Sequence, residues 1–321
     1  MAKPYHRLLI TGADGFVGRH LLVWLRRKFP TAHIIAAIRQ KDDNSLALPH
    51  ADQVIPFDLT SKTHEEMVAS LKPNGIVHLA AQASVALSFD DPLAFWNSNL
   101  IGTVGLAEAV LRHAPHCRFV FASSAEVYGL SFQAGTKLDE TALLRPANPY
   151  AASKAACDLA LGEMQLRGLD VIRLRAFNHI GAGQSDKFVV SSFAKQIAQM
   201  EAGRQDPVMQ VGTLDRWRDF LDVEDVCAAY ICALEAKSAP DAVYNIASGK
   251  AQRISDILTA LLAQSRISPR IDIVSSRVRP TDVEYVIGDN SKAIRDLGWK
   301  PILPLDETLI KILKDWRSRV M

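Results

Sequence analysis

Short apolar segments rich in β-branched residues alternate with helical patterns along the first 176 residues of the chain. Such segments are typical of strands buried on both faces of a sheet; they are RLLIT (7–11), HIIAAI (33–38), QVIPF (53–57), GIVHLA (75–80), RFVFA (118–122) and DVIRLR (170–175). Helical patterns lie between most of them, at 16–28, 92–114 and 149–166. The alternation predicts βαβ units with right-handed crossovers, and hence an α/β fold with a doubly wound parallel sheet.

The regular alternation fades after about residue 176 into shorter helices, loops and isolated strands. Turn-like segments such as GAGQSD and KSAP separate these elements. We therefore predict that residues 1–176 mainly form a dinucleotide-binding domain. Residues 177–321 are predicted to form a smaller, interleaved α/β region that binds the substrate.

Composition excludes several classes of function. The 321 residues are 48% hydrophobic and carry a formal net charge of +2, so no strong basic field favours nucleic acid. The four cysteines lack zinc-ligand spacing, and we expect reduced, mostly buried thiols and no metal site. The amino terminus has no apolar signal core and no segment approaches a membrane span, which predicts a cytoplasmic protein without a membrane partner.

The segment TGADGFVG follows the first predicted strand and opens the first helix. At such a turn, backbone N–H groups and the positive helix end can hold a pyrophosphate, and only glycine allows the close approach. The GxxGxxG spacing differs from the GxGxxG fingerprint, and the alternative is simply a tight turn. We predict a Rossmann-type cofactor site at this turn, which comprises Gly12, Gly15, Phe16, Val17 and Gly18.

The second predicted strand ends with Arg39, and Lys41 follows closely. A cation at this place suits a 2′-phosphate, whereas an acid would suit ribose hydroxyls. We therefore favour NADP(H), while Asp42 and Asp43 leave NAD(H) possible. Asp58, with Leu59 beside it in the predicted cofactor site, could accept from an adenine amino group or could cap a helix.

The segment YAASK places Tyr150 and Lys154 four residues apart on one helix face. Free tyrosine titrates near pH 10, so a neighbouring cation that favours the phenolate would make it a better acid–base group. Ser124 lies about 25 residues upstream and could bind the oxygen of a carbonyl or alcohol. YxxxK alone is common by chance, but its combination with the glycine turn and Ser124 indicates catalysis.

Several motifs together resemble a known family. The segments TGADGFVG, HLAAQ, SSAEVYG and PYAASK resemble those of the extended short-chain dehydrogenase/reductases that act on nucleotide sugars. The later segments RAFNHIGAGQ, RWRDFLDVEDV, VYNIASG and RPTDVEYVIGDNSKAIRDLGWKP are more specific. They most resemble the members that reduce GDP-4-keto-6-deoxy-D-mannose, and next the GDP-mannose dehydratases.

This resemblance implies roles for individual residues. Ser124 matches the catalytic serine or threonine, Tyr150 the proton donor, and Lys154 the residue that tunes the tyrosine and binds ribose. The loop beside the cofactor phosphates and ribose is matched by Leu79, Ala80, Ala81 and Gln82, with Asn99 as its supporting asparagine. Ser123 is expected to pack or to cap a helix.

The resemblance also implies a nucleotide-sugar site in the region 177–321. Asn178 matches a residue beside the sugar nucleotide, and Arg218 and Arg279 match arginines that engage its diphosphate. Guanidinium groups offer planar, bidentate donors that suit such a group. Each arginine taken singly could be a surface ion pair. His179 is expected to be a structural, hydrogen-bonded residue.

The activity implied by the resemblance is delivery of hydride from NADPH to C4 of a GDP-4-keto-6-deoxy sugar, with GDP-D-rhamnose as the product. A 4,6-dehydratase or a 4-epimerase that retains its cofactor is the first alternative. A dinucleotide-sensing module without turnover is a second one, although such a module has no need for the serine, tyrosine and lysine together. The resemblance further implies a homodimer formed through the helices at 92–114 and 149–166.

Glu126 leaves three interpretations open. In the resembling dehydratases a glutamate here takes the C5 proton, so Glu126 could be a working base, a group that orients the sugar, or a local hydrogen-bonding residue. It is preceded by Ala125, where many dehydratases carry a polar residue. That departure puts full dehydration chemistry in doubt.

Overall fold

The computed structural model describes residues 5–39, 48–274 and 283–321. Its strands, numbered in chain order, are β1 Arg7–Thr11, β2 His33–Ile38, β3 Gln53–Pro56, β4 Gly75–His78, β5 Arg118–Ser124, β6 Val171–Ala176, β7 Asn178–Ile180, β8 Val208–Val211, β9 Trp217–Asp222, β10 Val243–Ile246, β11 Ala251–Arg253, β12 Arg270–Ile273 and β13 Tyr285–Val286. Each of the six predicted strands is confirmed, with ends that differ by at most two residues.

The α-helices are α1 Phe16–Lys28, α2 His64–Leu71, α3 Val85–Asp90, α4 Pro92–Phe95, α5 Thr103–His113, α6 Pro149–Leu166, α7 Val189–Glu201, α8 Val223–Glu235, α9 Ile254–Leu262, α10 Ser291–Leu297 and α11 Leu305–Val320. A π-helical segment, Trp96–Gly102, joins α4 to α5, so the predicted helix at 92–114 is three segments in succession. A further segment, Ala125–Ala134, consists of 3-10 turns interrupted at Gly129. The predicted helices 16–28 and 149–166 are confirmed at both ends.

Seven strands of the described chain form one sheet in the order β10-β6-β5-β4-β1-β2-β3. All six neighbouring pairs are parallel. The connections run outward from β1 to β3 and then return to β4 on the other side of β1. Ligands of doubly wound sheets bind beyond the carboxyl ends of the strands at such a reversal, which here lies between β1 and β4.

Helices cover both faces of this sheet, as the apolar strands require. In β2, Ile34 and Ala36 join the core beneath α1 and α8, whereas Ile35 and Ala37 join the core beneath α5 and α6. Successive side chains of a strand point to opposite faces. A strand that is buried on both faces is therefore apolar at nearly every position. The predicted doubly wound α/β fold is confirmed.

The region 177–321 adds smaller sheets and one strand of the large sheet. Strand β9 pairs with β7, β11 and β13, while β8 pairs with β12. Helices α7, α9 and α11 enclose a separate apolar core with β8 and β9. Strand β10 pairs with β6 at the edge of the large sheet, so the two parts of the chain are interleaved in space. The division at residue 176 remains a prediction.

Candidate active site

The glycine turn between β1 and α1 fits a dinucleotide pyrophosphate. Gly12 has φ +67°, and a Cβ atom there would lie 2.9 Å from the backbone nitrogen of Ala80. A Cβ on Gly18 would lie 2.5 Å from the carbonyl oxygen of Gly12. Helix α1 begins after Gly15 with no side-chain cap and no acidic residue in its first turn. Its first N–H groups and positive dipole end therefore suit an anionic group.

The other wall of this crevice is the loop after β4, which includes Leu79, Ala80, Ala81 and Gln82. The Leu79 N–H donates to the Thr11 carbonyl at 3.2 Å, and the Ala80 N–H donates to the Thr11 hydroxyl oxygen at 3.2 Å. That hydroxyl lies 2.7 Å from Nδ1 of His78, which is fully buried. Burial lowers the pKa of His78 to about 3, so the ring is neutral and serves as a fixed hydrogen-bonding link beneath the crevice.

Asn99 holds this loop from the π-helical segment. Its Oδ1 accepts from the Gln82 N–H at 2.8 Å, and its Nδ2 donates to the Gln82 carbonyl at 3.0 Å. Nδ2 also donates to the Ser153 hydroxyl oxygen at 3.0 Å, on helix α6. The side chain is 1% exposed, so these contacts support a positioning role. A direct cofactor contact by Asn99 remains a prediction.

Arg39 is exposed immediately after β2, as the sequence predicts. The Asp58 carboxylate accepts from the backbone N–H and the hydroxyl of Thr60, each at 2.8 Å. These hydrogen bonds, with a contribution from the nearby Arg39 charge, lower the pKa of Asp58. Asp58 does not cap α2, whose N-cap is Thr63. The predicted residues Lys41, Asp42 and Asp43 lie outside the described residues, and Leu59 is buried against Gly102 of the π-helical segment.

Strand β5 and helix α6 bring the predicted catalytic residues together. Ser124 ends β5, and its hydroxyl group lies close enough to that of Tyr150, in the first turn of α6, to influence the pKa of the tyrosine. Asn148 caps this helix by accepting from the Ala151 N–H at 2.8 Å, and Pro149 takes the first helical position. Lys154 follows Tyr150 by about one turn. The serine, tyrosine and lysine therefore meet at the carboxyl edge of the sheet.

Burial controls the protonation of this group. It raises the pKa of Tyr150 to about 12, against the opposing effect of the Ser124 hydroxyl and with a further contribution from the Glu126 charge. This direction is opposite to the lowering expected from Lys154. The Lys154 ammonium instead donates to the Ala122 carbonyl at 2.7 Å, and burial lowers its pKa to about 8. Tyr150 is therefore a protonated phenol at neutral pH, the form that a proton donor requires.

Glu126 lies beside this group but is exposed. Its backbone N–H donates to the Ser124 hydroxyl oxygen at 3.2 Å, and its Oε2 accepts from Nδ2 of Asn148 at 3.4 Å. The neighbouring Ala125 is buried and offers no polar group. Glu126 is thus bonded to the residue that caps α6.

A buried carboxylate behind the catalytic residues was not predicted from the sequence. Asp158, on α6, is 0% exposed and accepts from Arg175 at 2.9 and 3.0 Å and from Arg173 at 3.2 Å. The Ser123 hydroxyl donates to it at 2.6 Å, so Ser123 packs against α6, as expected. Burial opposes ionisation, but Arg175 and its neighbours hold the pKa of Asp158 below its usual value. The spacing Lys154–Asp158 is the only sequence signal for it, and acids on helices are usually solvated.

On the substrate side, Asn178 of β7 pairs in register with Phe220 of β9, and Arg218 lies two residues before Phe220. Asn178 and Arg218 therefore share one face of this small sheet. Arg218 Nη1 donates to the carbonyls of Trp217 and Glu284, at 2.8 and 3.3 Å. The predicted Arg279 lies outside the described residues. His179 is hydrogen-bonded, as expected, to the Phe177 carbonyl at 3.0 Å.

Asp219 is a second residue that the sequence did not reveal. It directly follows Arg218 and is 0% exposed. Its oxygens accept from the Ser248 N–H and hydroxyl at 2.7 Å each, from the Gly249 N–H at 2.9 Å and from the Gly288 N–H at 3.3 Å. Burial raises its pKa to about 6 despite these bonds. Asp219 thus fixes the strand that carries Arg218 to two neighbouring loops.

Other predicted features concern the whole chain. The four cysteines are free thiols, and three of them, Cys117, Cys157 and Cys227, are buried. No group of three or more His, Cys, Asp or Glu side chains among the described residues could hold a metal ion. Within residues 5–39, 48–274 and 283–321, no helix has the length and apolar character needed to cross a membrane.

Comparisons with known proteins extend over the whole chain. The model of the GDP-mannose 4,6 dehydratase family matches residues 9–312. A GDP-6-deoxy-D-mannose reductase from Pseudomonas aeruginosa is 36% identical over 315 residues, which cover 98% of each chain. The structure of RMD from Pseudomonas aeruginosa complexed with NADPH is 35% identical with a TM-score of 0.82, over 98% of this chain and 100% of that one. A UDP-glucose 4-epimerase from Thermus thermophilus, complexed with NAD, is 27% identical with a TM-score of 0.84, over 97% and 99% of the chains.

The position of Arg39 predicts a preference between the two nicotinamide cofactors. Replacing it in the Arg39→Ala variant should weaken NADPH binding by about 1.5–3 kcal/mol, the scale of a hydrogen bond to a charged group, because the 2′-phosphate loses its cation. NADH binding should change little. Fluorescence titration with both cofactors measures this, with Arg27→Ala, an exposed arginine at the far end of α1, as the control. An equal loss of affinity for NADPH and NADH would show that Arg39 does not bind the 2′-phosphate.

Proposed function

This chain belongs to the GDP-mannose 4,6 dehydratase family, and we propose that it reduces the C4 keto group of GDP-4-keto-6-deoxy-D-mannose to give GDP-D-rhamnose. The expected membership of the extended short-chain dehydrogenase/reductases is confirmed. The full-length similarity to the Pseudomonas aeruginosa GDP-6-deoxy-D-mannose reductase supports this substrate and product. The enzyme is an oxidoreductase that uses a nicotinamide cofactor.

NADPH is the favoured cofactor and NADH is possible, in line with the NADPH and NAD complexes of the two structural relatives. When bound, the reduced nicotinamide supplies the hydride. The glycine turn at Gly12, Gly15 and Gly18 would hold its pyrophosphate, and Arg39 its 2′-phosphate. The loop at Ala80 would border the ribose side. Close approach of the backbone at Gly12 leaves room for no other residue there.

One observation carries the proposal: the Ser124 hydroxyl and the buried Tyr150 phenol lie side by side where β5 ends and α6 begins. Reduction of a keto group leaves negative charge on its oxygen, which must be stabilised and protonated. Ser124 donates to this oxygen, and Tyr150 transfers its proton to it. Lys154, tied to the Ala122 carbonyl, places a positive charge behind the pair and is available to a ribose hydroxyl.

The substrate diphosphate is assigned to the face of β7 and β9 that carries Asn178 and Arg218. Arg218 is fixed by the carbonyls of Trp217 and Glu284, and the buried Asp219 anchors the same strand. A guanidinium is planar and offers bidentate donors that suit phosphate oxygens, and these carbonyl contacts fix its orientation. Arg279 is proposed to join it, on the resemblance of its motif alone.

Dehydration of GDP-mannose is the second candidate function, because the family model carries that activity in its description. Glu126 is the carboxylate that could act as a C5 base. Its contacts with Asn148 and its exposure suit a residue that orders the start of α6 or orients the sugar. The buried alanine before it offers no second polar group for the elimination. These features favour reduction.

A homodimer through helix α6 and the neighbouring α4 and π-helical segments completes the proposal. Leu159 and Leu166 lie seven residues apart on α6 and are 63% and 90% exposed, and Leu93 and Ile101 are 72% and 64% exposed. These exposed apolar side chains lie on helical segments that pack against one another, which indicates an association surface. A second copy of the chain is its proposed occupant.

The free cysteines support a reducing location, which we propose to be the cytoplasm.

The Tyr150→Phe variant tests the mechanism. Loss of the phenol proton should lower kcat for the 4-keto sugar by about a hundredfold or more, while NADPH affinity is retained. The assay follows NADPH absorbance after addition of GDP-4-keto-6-deoxy-D-mannose and identifies the product by NMR. Tyr244→Phe, on the edge strand β10, is the control and should keep the activity. Turnover close to that of the unmutated enzyme in Tyr150→Phe would exclude Tyr150 as the donor.

Glu126→Gln distinguishes reduction from dehydration. The variant should keep most of the NADPH-dependent reduction, because a substrate that is already dehydrated needs no C5 base. GDP-mannose alone should give little or no 4-keto product with the unmutated enzyme, as measured by product NMR. Efficient conversion of GDP-mannose that disappears in Glu126→Gln would instead make dehydration the main activity.

The dimer is tested by analytical ultracentrifugation. The unmutated protein should sediment as a dimer, and the double variant Leu159→Glu/Leu166→Glu as a folded monomer, since two buried charges per subunit would oppose association. Leu143→Glu changes a leucine that is 74% exposed outside these helices and should leave the dimer intact. A monomeric unmutated protein would contradict the proposal.

A further inference from the structure

The imidazole ring of His20, on α1, lies between two hydrogen-bond acceptors. Its Nδ1 is 2.5 Å from Oε1 of Glu224 on α8, and its Nε2 is 2.9 Å from the carbonyl oxygen of Ala182. A carboxylate and a backbone carbonyl can only accept. Both ring nitrogens must therefore carry hydrogen to satisfy both contacts, which describes an imidazolium.

The charges around the ring agree with this protonation state. Burial opposes it, but the hydrogen bonds to Glu224 and to the Ala182 carbonyl raise the pKa of His20 above its ordinary value of 6.5. The bond to His20 lowers the pKa of Glu224, and Trp24 donates to the other carboxylate oxygen. Further charged groups face this region from β9 and α11, namely Asp222, Lys311, Asp315 and Arg319.

Ala182 belongs to the turn Gly181–Gln184, which follows β7 and leads to α7. This turn is packed closely: a Cβ on Gly181 would lie 2.5 Å from Cγ1 of Val223 and 3.4 Å from the Phe16 ring. The Gly183 N–H donates to Asp315 at 3.0 Å, with φ +89° at Gly183. Gln184 is 3% exposed and donates to the His179 carbonyl at 2.9 Å.

Phe16 connects the same turn to the start of α1. Its ring meets His20 edge-on, with centroids 5.4 Å apart, and stacks on His179 at 6.2 Å. Phe16 is the first residue of α1, directly after the glycine turn. The helix that would hold the cofactor pyrophosphate and the strand that carries Asn178 are therefore joined through Phe16 and His20.

We propose that His20 is a positioning residue whose imidazolium fixes the turn Gly181–Gln184 to helix α1 and thereby aligns Asn178 for the nucleotide sugar. Alignment of the sugar nucleotide rests on the proposed function, whereas fixation of the turn does not. The raised pKa of His20 determines whether fixation of the turn strengthens or weakens as the pH rises. The doubly bonded form is complete at low pH and is lost as the pH rises through a value above 6.5.

Hydrogen exchange measured by mass spectrometry tests the fixation of the turn without any substrate. Protection factors for residues 179–188 in the unmutated protein should fall about tenfold between about pH 6 and 8.5, as one hydrogen bond to a charged group is lost. In His20→Gln, protection should be low at both pH values. In Glu224→Gln the fall should occur at lower pH, because the ring loses its charged partner. His6→Gln, which changes an exposed histidine directly before β1, should behave as the unmutated protein does.

Binding of GDP-mannose to the NADPH-loaded enzyme tests the alignment of the site. Its Kd should rise by about three- to tenfold over the same pH range in the unmutated protein and in His6→Gln. In His20→Gln the Kd should be high throughout and independent of pH, while the Kd of NADPH stays within about twofold of the unmutated value. Isothermal titration calorimetry gives both constants.

Hydrogen exchange and calorimetry together distinguish failure of the role proposed for His20 from failure of the proposed function. Unchanged protection of residues 179–188 in His20→Gln at pH 6 would overturn the role of His20, whatever the binding data show. Normal GDP-mannose binding in that variant would overturn its effect on the substrate site. Pronounced exchange effects with no binding of GDP-mannose or of the proposed product GDP-D-rhamnose by any variant would leave His20 as the fixing residue and refute the proposed nucleotide-sugar function.

Discussion

The active site depends on the buried ion pairs between the Asp158 carboxylate and two arginines of β6. The carboxylate is fully enclosed and its charge is balanced by Arg173 and Arg175 of β6, while Ser123 of β5 donates to it. Helix α6 is thus fixed against two strands at once. Removing one partner of such a cluster leaves an unpaired buried charge, which costs about 3–5 kcal/mol. Because Tyr150 and Lys154 lie on α6, their positions relative to Ser124 follow from this cluster.

The large sheet could be predicted because its signals are local. In β2, every residue from Ile34 to Ala37 is apolar and buried, and the two faces of the sheet share them alternately. The start of α6 was also predicted, from the helical pattern at 149–166, and in the structure Asn148 caps it and Pro149 takes the first helical position. The π-helical turn at Trp96–Gly102 was not. It places the Asn99 amide against Gln82 and Ser153, which are distant from it in the sequence. A helical repeat of hydrophobic positions carries no information about such distant contacts.

The candidate site likewise contains residues that the sequence could predict and properties that it could not. Gly12, Tyr150 and Lys154 could be proposed from the sequence because turn geometry and helical spacing are fixed within a few residues, and Ser124 was proposed from its motif. The protonation of Tyr150 could not be found, because it is decided by burial rather than by the Lys154 four residues away. The role of Asp219 depends on backbone N–H groups 29 to 69 residues further along the chain. Contacts of that range are set by the tertiary fold, so the sequence shows only an acid after Arg218.

The protonation state of Tyr150 bears on which half-reaction the site supports. A dehydratase or an epimerase must first oxidise the C4 hydroxyl, so its tyrosine has to accept a proton and is more effective as a phenolate. A reductase needs the opposite form. Burial raises the pKa of Tyr150 to about 12, and the Glu126 charge acts in the same direction. In this chain the Glu126 carboxylate therefore supports the protonated tyrosine, which is the form from which a keto oxygen at C4 receives its proton.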